Sequence, residues 1–310
     1  MAVVFQSHAT LCHYQGKDTP AMNLASPLGE GHGLTPSWEG GFDTNIALSM
    51  TSCSRVVKEA NEESAERPNW LELPKEVTTN IFQKLGAFEV LTSARQVCSQ
   101  WWNISKEPLM WRTIDLTKPR HYPQPTLVNL CCYAIEQSCG HLEDISIEFF
   151  ATDKVLKCIA NNGSHLRRMR LVKCWAVSNT GLREAVIKLP LLEEFEISFN
   201  NVLYDTIAVI GQFCPLLKVL KLNMCPYKRF KYDDEALAIA RNMPNLRHLQ
   251  LMGNWLTNYG LIFILDSCLH LESLNLKACK NIDLSGSLGE RCYKQIREKC
   301  GSPGTVPYDI

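Results

Sequence analysis

The stretch LRHLQLMGN, Leu246 to Asn254, places Leu at its first, fourth and sixth positions and Asn at its ninth. A helix would repeat its apolar residues every three or four places over several turns, and this stretch does not. It is also far shorter than the ~18 apolar residues of a membrane span. What such spacing means depends on whether it recurs, and self-similarity is the first thing to test in a chain of 310 residues.

It does recur. LEDISIEFF begins at Leu142, LRRMRLVKC at Leu166, LEEFEISFN at Leu192, LKVLKLNMC at Leu217 and LESLNLKAC at Leu271. Successive starts, with the opening stretch in its place, lie 24, 26, 25, 29 and 25 residues apart. Positions one, four and six are apolar in every copy, and the ninth is Asn or Cys in all but one, where Phe150 stands. The pattern resembles the leucine-rich repeat, whose units run ~20–29 residues. Its central x-L-x-L reads as a short strand with positions four and six facing a core. The ninth side chain is expected to turn inward and bond backbone groups left unpaired where the chain bends away.

Between these strands lie VLKCIANNGS, GLREAVIKLP, TIAVIGQFCP, EALAIARNMP and GLIFILDSC, each read as a short amphipathic helix. Pro190, Pro215 and Pro244 end three of them, because proline stops a helix and extends the residue before it. WRTIDL, Trp111 to Leu116, reads as the strand of a degenerate first unit, with LVNLCCYAIEQSCG as its helix. LGERCYKQIREKC reads as a charged closing helix, the cap that an open solenoid end requires. The expected fold class is α/β: a curved solenoid with parallel strands on its concave face and helices on its convex face, preceded by a small helical segment.

That segment, residues 69–112, has a different texture. Leu73, Val77, Ile81 and Leu85 are four apart, one face of a helix that Pro74 opens and Gly86 ends. A second helix is expected near Glu89–Ala94, and a third carrying Val97, Cys98, Trp101 and Trp102. Four of the seven Trp fall here. Three short helices this rich in Trp form a core that is marginal alone, and their surplus of apolar surface points to a docking face.

LP-x-E, then I-F-x-x-L, V-C-x-x-W and P-L-M-W resemble an F-box. Followed directly by cysteine-type leucine-rich repeats, the segment resembles the F-box/LRR family, its plant members most. The resemblance implies a non-catalytic substrate receptor of a Skp–cullin–F-box ubiquitin ligase. Its F-box would bind the Skp-family linker, which joins it to the cullin and RING subunits, and its repeats would bind a target protein. On the motif positions, Leu73, Pro74, Ile81, Leu85, Val97, Cys98 and Trp102 are expected at or just behind the linker interface. The WW of Trp101–Trp102 departs from the usual Trp followed by a basic residue, which leaves open which Trp is buried. An F-box/LRR scaffold acting outside a ligase is the alternative.

On the repeats, strand positions three, five and seven are expected to face outward. Arg168 and Arg170 would then stand beside Glu194 and Glu196, with Lys221 beyond. This alternating band is either cross-strand pairing or a target-binding surface. His248, Met252 and Trp255 form a less charged neighbour to it, and Trp175 and Trp255 each follow a ninth position by one.

Other classes find little support. Formal net charge is zero, which argues against a general nucleic-acid binder. No G-x-S-x-G, P-loop or H-E-x-x-H occurs, no C-x-x-C pair offers zinc spacing, and neither a cofactor nor a metal is expected. Cys98, in a helix between Val97 and Trp101, is expected to be buried and unreactive. The N-terminus lacks the basic and apolar regions of a secretory signal, so the 14 cysteines are expected as reduced, small buried hydrophobes of a cytoplasmic or nuclear protein with no membrane partner. Residues 1–66 are rich in Gly, Pro, Ser and Thr and are expected to be disordered, with Met50 a plausible alternative start. The expected organisation is this extension, the F-box at 67–112, repeats and cap at 113–300 and a tail at 301–310.

Overall fold

In a computed structural model, the described residues are 73–117, 122–200, 202–223 and 233–300, with side chains described to 296. The expectations for residues 1–66, for a start at Met50, for Trp70, for the ninth-position Cys225 and for the tail lie outside them.

Among the described residues, seven parallel strands pair in strict chain order. They are β1 (Thr113–Leu116), β2 (Asp144–Glu148), β3 (Arg168–Val172), β4 (Glu194–Ser198), β5 (Val219–Asn223), β6 (His248–Gln250) and β7 (Ser273–Asn275). Register keeps equal repeat positions side by side: Ile145 opposite Met169, Met169 opposite Phe195, Leu249 opposite Leu274. β1 joins in the same register, Ile114 opposite Ile145, so the degenerate first unit is a true member of the stack. The helices between strands are α4 (Gln124–Gln137), α5 (Asp153–Asn162), α6 (Asn179–Val186), α7 (Tyr204–Phe213), α8 (Asp234–Asn242) and α9 (Asn258–Ser267), and α10 (Ser287–Cys300) closes the series against α9 and β7. Strands stack ~4.8 Å apart while packed helices need ~8–10 Å, so each repeat turns the chain toward its strand side. That difference makes the strand face the concave one.

Positions one, four and six build the core. Leu142, Leu166, Leu192, Leu246 and Leu271 are fully buried, as are Ile145, Phe195, Leu220 and Leu171. Each buried side chain of this size contributes about 1.5–3 kcal/mol. The ninth position turns inward as expected. Asn200 accepts from the backbone N–H of Cys174 at 3.2 Å and donates to its carbonyl at 2.5 Å. Asn254 accepts from Leu256 N–H at 2.7 Å, and the thiols of Cys174 and Cys279 donate to the carbonyls of Val172 and Leu251.

The device that turns the ninth residue inward was not visible in the sequence. The eighth position is left-handed in every copy where it is described: Phe149 (φ 76°), Lys173 (53°), Phe199 (59°), Gly253 (66°) and Ala278 (62°). A non-glycine residue there costs about 1–2 kcal/mol. The offset is a regular bond: the N–H of Phe149, Lys173, Phe199 and Gly253 donates to the seventh-position carbonyl of the next repeat, Val172, Ser198, Asn223 and Lys277, at 2.7–2.9 Å.

The N-terminal helices are α1 (Lys75–Leu85), α2 (Ala87–Thr92) and α3 (Ser99–Ile104), with 3-10 turns at Ala94–Gln96 and Pro108–Trp111. Gly86 ends α1 at φ 89°, where a side chain would be strained. The third helix starts later than expected, leaving Val97 and Cys98 outside it. Cys98 is its N-cap, its sulfur accepting from Trp101 N–H at 3.4 Å, and is half-buried, not enclosed. Trp111 belongs to the 3-10 turn, not to the strand that follows. It is buried, with its indole N–H donating to the Ser105 carbonyl at 2.9 Å. These helices share one continuous hydrophobic cluster with the repeats. Tyr122, before α4, packs on Phe88 of α2 with ring centroids 5.3 Å apart. No helix among the described residues is long and apolar enough to cross a membrane.

Candidate partner-binding surfaces

On α1 the four-apart stripe does not face the core. The buried residues of the helix are Thr78 and Phe82, and Phe82 meets the ring of Trp101 edge-on at 5.2 Å. Val77 and Leu85 are each 42% exposed, Pro74 is exposed, and Leu73 and Ile81 are half-buried. Val97, at 57% exposure, and Trp102 are also open to solvent. None of the seven residues expected at the linker interface is buried. The core is made by others: Phe82, Phe88, Val90, Leu91, Ala94, Ile104 and Trp111. The WW pair therefore divides, Trp101 inward and Trp102 outward. Leu109, 65% exposed, is a further candidate that sequence reasoning missed. Its place in P-L-M-W was the available signal.

Local bonds hold this surface in shape. Gln100 donates to the Leu73 carbonyl at 3.3 Å, tying the LP opening to α3. Lys75 pairs with Glu107 at 2.8 Å, and that bond raises the lysine's pKa. Lys106 and Arg95 lie over the ring of Trp102 at 4.7 and 5.6 Å, and Arg95 also lies over Tyr133 of α4 at 5.2 Å. One cation thus spans the helical segment and the first repeat helix.

The helical face and the repeats agree with what the sequence resembles. The F-box-like family model matches residues 70–117. The chain is 44% identical over 237 residues to the F-box protein SKIP19 of Arabidopsis thaliana, spanning 76% of this chain and 78% of that protein. The chain belongs to the plant F-box/LRR family. Its F-box/LRR-repeat protein 23 relative, from the same plant, is 43% identical over 74% of this chain, and the match spans only about half, 52%, of that protein's length. The solved complex of Rad7 and Elc1 in yeast is similar at a TM-score of 0.33 and 13% identity, over 70% of this chain and 85% of that one, a level at which no argument rests on it.

On the concave side of this F-box/LRR chain, Arg168 stands opposite Glu194, Arg170 opposite Glu196, and Glu196 opposite Lys221, as the repeat register requires. The side chains follow that register only in part. Arg168 turns back to Asp144 at 2.7 Å, Arg170 pairs with Glu196 at 3.2 Å, and Lys221 reaches diagonally to Glu194 at 3.0 Å. The hydrogen bond that Arg168 donates to the Asp144 carboxylate raises the arginine's pKa. Two outward expectations are corrected: Val172 and Ser198, at seventh positions, are buried among their neighbours. Beside the band, Ser198, Asn223 and Gln250 form a hydrogen-bonded row across β4, β5 and β6.

A second charged ladder runs along position two and was not anticipated. Arg112 pairs with Glu143, Arg167 and Lys218 both pair with Glu193, and Arg247 pairs with Glu272. The bonds from Lys218 and then Arg167 hold the Glu193 carboxyl below its usual range against partial burial.

His248 is exposed, and its Nε2 lies 3.8 Å from Glu272. Met252 is half-buried with its sulfur 3.8 Å from Gln250 Nε2. The two loop tryptophans differ. Trp255 is half-buried with its indole N–H enclosed, whereas Trp175 is 69% exposed. Trp175 lies 6.4 Å from Phe149, and Lys173 lies over the rings of Phe149 and Phe199 at 4.9 and 5.8 Å. The left-handed eighth position displays those two Phe rings.

Four buried cysteines of the repeats and cap have raised thiol pKa values. Burial pushes the thiols of Cys174, Cys268 and Cys292 up to about 11 and that of Cys214 up to about 12.

Proposed function

We propose that the chain is the non-catalytic substrate receptor of a Skp–cullin–F-box ubiquitin ligase. Its F-box face docks the Skp-family linker, and cullin and RING subunits follow through that linker. The carrying observation is the outward apolar stripe of Leu73, just before α1, and of Val77, Ile81 and Leu85 on it, continued by Val97, Trp102 and Leu109. A helix that keeps Phe82 inside and Val77, Ile81 and Leu85 near solvent has apolar surface left for a partner.

The repeats would hold the target. Arg168, Arg170, Glu194, Glu196, Lys221, His248 and Met252 offer a polar concave face, and Trp175 stands out as an aromatic anchor at its rim, with Trp255 set deeper. Because the F-box and the repeats share one core, a bound target is kept at a fixed distance from the linker. That is the receptor's contribution to ubiquitin transfer, a raised effective concentration and not a chemical step. We place this activity in the cytoplasm or nucleus.

The test is reconstitution from purified components. The chain, a plant Skp-family linker and a cullin N-terminal region are expected to co-elute as one complex. Linker binding without cullin would favour a scaffold outside a ligase, and absence of both would overturn the proposal.

A further inference from the structure

Helices α4 and α5 lie side by side, and two polar rungs join them. Lys154 Nζ donates to Asn129 Oδ1 at 2.9 Å. One turn further along, the thiol of Cys158 donates to the sulfur of Cys132, and the two sulfurs are 2.8 Å apart. A disulfide needs about 2.05 Å, so the two sulfurs have less than an ångström to close. Cys132 is buried, and Cys158 is half-buried. Three other buried thiols bond differently: Cys174, Cys214 and Cys268 donate to backbone carbonyls.

We propose that Cys132 and Cys158 form a thiol oxidation site, whose oxidant is a low-molecular-weight disulfide of the glutathione type. The Cys158 thiolate attacks one sulfur of that disulfide. The disulfide's S–S bond breaks, a Cys158 mixed disulfide forms and one small thiol leaves with a proton. Cys132 then attacks Cys158 Sγ, the mixed bond breaks, and the second small thiol leaves with the Cys132 proton. Two protein thiols lose two electrons and the small disulfide gains them, giving two small thiols and one Cys132–Cys158 bond.

The surroundings favour that order of attack. Cys158 is the thiol a soluble oxidant can reach. Burial first, then the hydrogen bond and charge of Cys158, push the Cys132 thiol up to about 12, while Lys154 pulls it down. Lys154 stands beside Cys132 at the step where it must attack. The product ties α4, which packs on α2 and on the Pro108–Trp111 turn, to the next repeat. Oxidation would fasten the repeat that carries the F-box to the rest of the stack. This inference stands apart from the ligase reading.

The experiment incubates the full chain with glutathione disulfide, blocks remaining thiols and maps peptides by mass. The expected result is a peptide pair joined through Cys132 and Cys158. A rise of several degrees in melting temperature should accompany it, since the bond closes a loop spanning 26 positions. Cys158→Ser should abolish the cross-link, and Cys132→Ser should leave one glutathione held on Cys158. Stable glutathione on Cys158 of the unmodified chain with no cross-link would overturn the proposal, and so would modification of the exposed Cys139 alone. Circular dichroism checks that both variants fold. If either does not, the joined peptide in the unmodified chain decides by its presence or absence.

Discussion

Asp153, the first residue of α5, accepts hydrogen bonds from the backbone N–H and hydroxyl of Ser178, the N-cap of α6, at 2.8 and 2.6 Å. The same relation joins later repeats. Asn179 accepts from Leu203 N–H at 2.8 Å, Asp233 from Thr257 N–H at 2.8 Å, and Asn258 from Asp283 N–H at 2.8 Å. The starts of α5, α6 and α8 thus each hold the N-cap residue of the following repeat's helix, α6, α7 and α9. The capped helix has glycine where the carboxylate comes close: a Cβ on Gly181 would lie 2.4 Å from Asp153 Oδ1, and one on Gly260 2.3 Å from Asp233 Oδ1.

Gly181→Ala tests that contact. Glycine to alanine in an exposed helix ordinarily gains up to about 1 kcal/mol. Here the sign should reverse to a loss of about 1–2 kcal/mol, because the Asp153 cap must be displaced. Asp153→Ala alone should cost about 1 kcal/mol. In the Asp153→Ala background, Gly181→Ala should become neutral or stabilising. Denaturant midpoints of the four proteins measure this, and simple additivity of the two losses would refute the contact.

The two sides of α1 should separate binding from folding. Leu73→Ala with Pro74→Ala is expected to abolish linker capture and leave the melting curve within a degree or two, since neither side chain is buried. Phe82→Ala empties a site in the shared core and should cost about 3–5 kcal/mol. Pull-down and thermal melts on the same samples decide it. Unchanged linker binding in the first variant would place the docking face elsewhere.

Arg168→Glu with Arg170→Glu breaks the pairs to Asp144 and Glu196 and sets like charges in contact. These half-exposed pairs are each worth about 0.2–1 kcal/mol, so a loss of about 1 kcal/mol or slightly more is expected. Target capture should fall further than that loss explains, with linker binding intact. Normal capture with a lowered midpoint would make the band a structural feature and shift the search to Trp175.

Glu235 offers a pH test. It is buried in the first turn of α8, where desolvation, and then Asp234 and Asp233, raise its pKa. A carboxyl whose folded pKa lies above its unfolded value weakens the fold once both states are ionised. That cost disappears as pH falls below the unfolded pKa. Glu235→Gln should therefore stabilise the protein at pH 7 and confer little below about pH 4. Stability measured across that range with no crossover in benefit would contradict the assignment.

Leu, Ile, Met and Phe at positions one, four and six could be read directly as strand and core, because a repeat buries the same places in every copy. Register followed from the same fact: Arg170 opposite Glu196 is a consequence of stacking equal units. The inward Asn and Cys at position nine were legible for the same reason. The exposure of the α1 stripe was not. Periodicity shows that Leu73, Val77, Ile81 and Leu85 share a face, but whether that face meets solvent depends on what fills the core. Phe82, Phe88 and Trp111 fill it, together with the first repeat. The left-handed eighth position escaped because Phe149, Lys173, Phe199 and Ala278 carry no local preference for it; in the first three it goes with a bond to the next repeat. Arg168 and Cys132 show the same limit. Each has more than one neighbour within reach, and only the packed geometry selected Asp144 for one and Cys158 for the other. Sequence determined what repeats, because repetition is written along the chain. Tertiary structure decided what faces outward and what pairs, because those depend on distances between residues about 25 positions apart.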